Sequence, residues 1–218
     1  MRKLLCLFLV FLFTPQICAF AAANSPARPL VIIDPGHGGA DGGAVGLAGA
    51  AEKHFNLSTA LKLADLMTLS GYEVLLTRTT DDDTDGTPEF NKRQDILARE
   101  ALGRTYPQAP FISIHMNSSA SPNDKGFQVF YGTQNAASKD LCAQVYTQAE
   151  KSNLTTRLRE QKAAPNTVYL MQNLPNPCVL AECGFIRNAQ DFNLLSSPVY
   201  RLKLAMVLLA AVNGYFNG

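Results

Sequence analysis

Residues 30–39 read Leu30-Val31-Ile32-Ile33-Asp34-Pro35-Gly36-His37-Gly38-Gly39, an apolar run that breaks into a turn and then a glycine-rich loop. An apolar stretch rich in β-branched residues and closed by a turn reads as a strand buried on both faces. Past the loop, Leu57, Ala60, Leu61, Ala64 and Met67 recur at helical spacing and Gly71 stands where a helix would stop, which predicts a helix from about Glu52 to Ser70. A strand followed by a covering helix is the repeating unit of a parallel sheet.

The alternation continues along the chain. Further strands are predicted at Glu73–Thr77, Phe111–His115, Phe127–Tyr131, Val168–Leu170 and Cys178–Glu182, with helices over about 89–103, 136–152 and 198–216. The expected fold is α/β, a single domain with a mostly parallel central sheet of about six strands and helices on both faces.

The first 23 residues read as a secretory signal peptide, with Arg2 and Lys3, an apolar run from Leu4 to Phe13, and small residues at Ala19 and Ala21–Ala23. That run is about half the roughly 20 residues a spanning helix needs, which favours a cleaved signal over an uncleaved anchor. Residues 24–218 form the expected mature domain, outside the cytoplasmic membrane and without a stable span after cleavage. Without residues 1–23 the chain keeps 17 basic and 18 acidic residues, a balance unlike that of a nucleic-acid binder or a polybasic membrane-surface protein. Cys6 and Cys18 leave with the signal. The remaining three cysteines fit no metal motif and read as buried free thiols; Cys178 and Cys183 fall on opposite faces of their strand. The acidic segment 81–86 lacks the spacing of a calcium loop and reads as a solvated turn.

Four polar residues gather where such a sheet binds ligands. His37 follows the first strand, His115 and Glu182 end later ones, and Glu52 opens the helix after the glycine-rich loop. Ligands of open parallel sheets bind beyond the carboxyl ends of the strands. Two imidazoles and a carboxylate suit a catalytic zinc with an open fourth position, and a further carboxylate such as Glu182 can move the proton of an attacking water. Taken singly, each residue has a structural explanation: a hydrogen-bonded histidine, a first-turn acid favoured by the helix dipole, or a turn at Asp34-Pro35-Gly36. His54 sits two residues from Glu52 and points away from it on a helix, as an exposed residue.

At these positions the chain resembles the zinc-dependent N-acetylmuramoyl-L-alanine amidases of the amidase-3 type. The matching stretches are Ile33–Gly39 with Asp41–Ala44, Glu52-Lys53 with Asn56-Leu57, Leu76-Thr77-Arg78, Arg93, Ile112–Asn117, Gly126-Phe127, and Leu180–Ile186 with Asn188. The resemblance implies one Zn2+ held by His37, Glu52 and His115, with Glu182 as the catalytic carboxylate. It implies a peptidoglycan substrate cut between muramic acid and the L-alanine of the stem peptide. Within the family, the short layout resembles the single-domain amidases that process the spore cortex toward muramic-δ-lactam. A role in vegetative cell separation and a zinc peptidase acting within the stem are the alternative enzyme readings, and a wall-binding module without catalysis is the non-enzyme reading. About ten residues, 118–127, follow the His115 strand, too few for an inhibitory helical plug, so regulation would fall to a protein partner or to weak metal retention. The chain departs from common family sequence at Ala98-Arg99-Glu100-Ala101, at Pro107–Pro110 and at Arg187.

Overall fold

A computed structural model of the chain describes residues 28–86, 90–155 and 157–218, and the predicted signal peptide lies outside them. The strands are β1 (Leu30–Pro35), β2 (Glu73–Leu76), β3 (Phe111–Asn117), β4 (Gln128–Tyr131), β5 (Lys162–Ala163) and β6 (Cys178–Phe185). The helices are α1 (Glu52–Leu69), α2 (Lys92–Thr105), α3 (Ala137–Lys151), α4 (Tyr169–Asn173), α5 (Ala189–Ser196) and α6 (Pro198–Asn217). They build a single α/β domain on one six-stranded sheet of order β2-β1-β3-β6-β4-β5. Every pairing is parallel except β4 with β6.

Two apolar layers cover the sheet. On one face α1, α3, α5 and α6 pack on Val31, Ile33, Ile112, Ile114, Val179 and Ala181. On the other, α2 and α4 cover Ile32, Phe111, Cys178 and Leu180. The alternation of β1 and β6 residues between the layers follows from the two-residue period of a strand. Cys178 belongs to one layer and Cys183 to the other, and all three described cysteines are free and buried. Although α6 is long and apolar enough to span a membrane, its Leu204, Leu208, Ala211 and Val212 lie in the core.

Side chains mark the helix starts. Asn91 accepts from the amides of Arg93 and Gln94 at α2, Asn188 from Gln190 and Asp191 at α5, and Ser197 caps α6 ahead of Pro198. Such caps satisfy amides that have no partner inside the helix. At α1 no side chain caps the start, and the first-turn acid Glu52 turns toward the sheet edge instead.

One predicted strand is corrected. Residues 168–170 do not join the sheet: Val168 precedes the short helix α4, and the edge strand beside β4 is Lys162–Ala163. Val168 and Leu170 are only half-buried against the second apolar layer and Tyr169 is exposed, a helical turn that a three-residue pattern does not distinguish from a strand. The helix α5 was not predicted; with eight residues it is too short to show a clear period.

Candidate metal centre and active site

β1 runs into the loop that carries His37, Glu52 is the first residue of α1, and His115 lies on β3. These three side chains offer ligand atoms that all lie within 4.8 Å of one another. His37 Nε2 is 3.3 Å from Glu52 Oε2, and His115 Nδ1 is 3.0 Å from Glu52 Oε1. His37 Nδ1 lies 2.9 Å from Asp41 Oδ2, so Asp41 accepts from that ring nitrogen and turns Nε2 toward Glu52.

Backbone geometry brings them together. His37 itself adopts φ 61°, a left-handed conformation that side chains other than glycine seldom take. Gly36 passes so close to His115 that a Cβ there would overlap the imidazole, and a Cβ on Gly43 would collide with His37 and Glu52. The register between β3 and β6 slips between His115 and Asn117. At that irregularity the Met116 amide donates to Glu52 Oε1 at 3.0 Å. Asn56 Nδ2 donates to the same oxygen at 3.2 Å, and the Ala44 amide to Oε2 at 2.9 Å.

Two arginines hold the loop from behind. Arg78 donates to the carbonyls of Pro35 (3.0 Å) and Gly36 (3.1 Å), while Arg99 donates to those of Pro35 (2.9 Å) and His37 (2.8 Å). Three successive carbonyls ahead of and at the first histidine are thereby fixed by guanidinium groups. Arg99 is set in turn by Asp34 (2.6 Å) and Asp95 (2.9 Å). Asp34 also accepts from Thr77 (2.7 Å) and Ser113 (2.6 Å), joining β1, the end of β2, β3 and α2. Burial alone would raise the Asp34 pKa, but Arg99 and the two hydroxyls hold it below its ordinary value. Asp34, read from sequence as part of a turn, anchors Arg99, and Asp41 is the residue that orients His37.

Charge shapes the cluster. Burial works to lower the His37 pKa, yet its hydrogen bonds and proximity to Glu52 and Asp41 raise it to about 9. Burial would likewise raise Glu52, but the two imidazoles hold it far below the usual carboxylate range. A carboxylate clasped between two imidazoles is a cluster whose shared protons a divalent cation can replace.

Glu182 stands beside His115 in the parallel β3–β6 register, so both side chains leave the same face of the sheet. Neither residue ends its strand as the sequence suggested, since β3 continues to Asn117 and β6 to Phe185. Glu182 opens into a cleft of about 250 Å3 shared with His37, His115, Arg99, Lys92 and Tyr169. Its Oε2 is closed off from solvent and has no hydrogen-bond partner. Burial pushes its pKa up to about 7, a value suited to accepting and returning a proton near neutral pH. His54 is 59% exposed with Asp81 3.9 Å away, apart from the cluster.

Residues 31–213 match the N-acetylmuramoyl-L-alanine amidase family, and the chain belongs to that family. It is an N-acetylmuramoyl-L-alanine amidase, a hydrolase of peptidoglycan. The chain is 32% identical to the germination-specific N-acetylmuramoyl-L-alanine amidase of Bacillus subtilis over 97% of its own length and 91% of that protein's. It is also 32% identical to the amidase LytC of the same organism, of which it covers 40%. Among solved structures, the CwlD amidase from Clostridioides difficile, determined in complex with the GerS lipoprotein, superposes with a TM-score of 0.80 at 29% identity, covering 87% of this chain and 99% of that one. AmiC2 of Nostoc punctiforme gives 0.75 at 26%, covering 89% and 100%.

The arginine clamp makes a specific demand on Arg99. Arg99→Lys keeps a cation beside Asp34 but loses the planar fork that reaches two carbonyls and Asp95. We expect the variant to fold and to bind zinc about 10- to 100-fold more weakly, as measured by competition with a chromophoric chelator; unchanged zinc affinity would show that the clamp does not set the loop.

Proposed function

We propose that His37, Glu52 and His115 hold one zinc ion and that Glu182 is the catalytic carboxylate. The observation that carries this reading is the convergence of three ligand atoms beside a carboxylate oxygen with no partner of its own. The donor set fits the metal: two imidazoles and one carboxylate leave a fourth position for water or substrate. When bound, zinc supplies a Lewis acid that polarises the substrate carbonyl and acidifies a water.

The chain's own residues supply the remaining chemistry. Asp41 fixes the His37 ring, and the Ala44, Met116 and Asn56 donors fix Glu52. Glu182 takes a proton from the attacking water as the oxygen bonds to the lactyl carbonyl carbon. It returns that proton to the amide nitrogen as the carbon–nitrogen bond breaks. The products are a muramic acid carboxylate and a stem peptide with a free alanine amine.

The proposed biological role is removal of stems in the spore cortex, ahead of muramic-δ-lactam formation by a separate deacetylase. Its support is the similarity, along nearly the whole chain, to a germination-specific amidase and to the CwlD amidase. Export by the N-terminal signal, with residues 24–218 as the exported domain, and a regulatory protein partner belong to the same proposal. The complex of the similar CwlD amidase with a lipoprotein supports the partner.

Glu182→Gln is expected to keep fold and zinc while losing on the order of 10²–10⁴-fold in turnover on purified peptidoglycan. His115→Ala should instead lose tightly bound zinc, measured by metal analysis. Near-normal turnover in the first, or a full zinc complement in the second, contradicts the assignment.

For the cortex role, deletion of the gene in its host should abolish muramic-δ-lactam in the spore wall. Unchanged δ-lactam content would leave the amidase chemistry standing and favour the vegetative role.

A further inference from the structure

We infer that the stem peptide occupies the Glu182 side of the metal residues, along a path toward Lys92 and Arg93, while the glycan strand lies in the largely uncharged cavity beside Ala44 and Arg187. This rests on Glu182 being the carboxylate that returns the proton to the leaving nitrogen. The leaving nitrogen belongs to the stem's first alanine and must come within hydrogen-bond reach of that carboxylate. Glu182 opens into one cleft, lined also by Lys92, Ile96 and Tyr169.

That cleft does not end at Tyr169. An adjoining cavity of about 480 Å3 shares Lys92, Ile96 and Tyr169 with it and adds Arg93. The path from the metal residues therefore runs over an apolar wall and arrives at two cations, both at the exposed start of α2. Lys92 lies 3.5 Å from Asp41, and Arg93 has no ion-pair partner among the described residues. Two further carboxylates of the cleft, Asp34 and Asp95, are both committed to Arg99. Beyond its first alanine a stem peptide carries free carboxylates, whereas the amino sugars are uncharged once the lactyl carboxyl is in amide linkage. Cations at the far end of the path thus complement the stem and not the glycan.

The opposite side has the complementary shape. A cavity of about 700 Å3 lies between the loop 44–47, the turn after β3 and Arg187. It adjoins the metal residues through Ala44, whose amide holds Glu52. Ser118 lies on its wall, and among the described residues there Arg187 is the charged one. A cavity of this size with a mostly uncharged wall accommodates the neutral amino sugars, whereas the path beyond Glu182 ends at cations.

The test uses two soluble muramoyl-peptides with the same glycan, one with the acidic second residue of the stem as a free carboxylate and one with that carboxylate amidated. The full-length enzyme loaded with zinc should prefer the free carboxylate by about fivefold in kcat/KM, the scale of a partly exposed ion pair. In Arg93→Gln and Lys92→Gln the preference should fall toward unity through KM, with zinc content checked because Lys92 borders Asp41. Arg187→Gln should keep the preference and raise KM more for long glycans than for a single muramic acid. Where turnover is too slow, titration of both ligands into the Glu182→Gln enzyme reads the same ratio as affinity. No preference in the parent enzyme, or a preference lost in Arg187→Gln and retained in Arg93→Gln, overturns the orientation. A fully active Glu182→Gln enzyme would instead overturn the assignment of the carboxylate itself.

Discussion

The guanidinium group of Arg99, buried against Asp34 and Asp95 and donating to the carbonyls of Pro35 and His37, is the contact on which the site's geometry depends. A loop that places a histidine at φ 61° is not held by local preference. It is held by donors behind it, and Arg78 supplies the others. Breaking a buried ion pair from one side leaves an uncompensated charge and costs about 3–5 kcal/mol. The same contact therefore joins strand packing to the position of His37. It also explains why the polar residues Asp34, Thr77, Asp95, Arg99 and Ser113 are buried together at the sheet edge: each satisfies another, as buried polar groups must.

In front of that scaffold the chemistry is set by strand register. β3 and β6 pair in parallel with His115 opposite Glu182, so a residue assigned to metal binding and one assigned to proton transfer are neighbours through the sheet itself. The irregularity just after His115 frees the Met116 amide for Glu52. Bulges beside active sites commonly re-aim groups in this way. Glu52 is consequently fixed on both oxygens, while Glu182 Oε2 is left without a partner. One carboxylate is immobilised and the other is available for protons, a division that matches the two roles.

Much of this was legible in the sequence. The parallel α/β architecture followed from the alternation of apolar runs and helical periods, and the helix at Glu52 was read to within a residue of its observed end. The four candidate residues could be named because they follow, end or flank apolar runs at one edge of the expected sheet, and their roles came only from the family resemblance. What the sequence concealed depends on tertiary contact. Arg99 was visible only as a departure from common family sequence, since nothing in a helical stretch tells that its guanidinium crosses to β1. Asp41 stood in the quoted motif, yet its hydrogen bond to His37 four residues earlier arises from the fold of a glycine-rich loop with no regular period. Val168–Leu170 misled because an apolar triplet does not set its own period, and this one leads into a short helix with Tyr169 exposed.

The central claim is that this site hydrolyses the muramoyl–alanine amide with zinc held by His37, Glu52 and His115. The most direct measurement is mass spectrometry of purified peptidoglycan digested by the metal-stripped protein with and without added zinc. The account predicts free stem peptides beginning with alanine, and glycan strands bearing bare muramic acid, only when zinc is restored. Shortened stems still attached to the glycan, or equal release of intact stems without zinc, would contradict it.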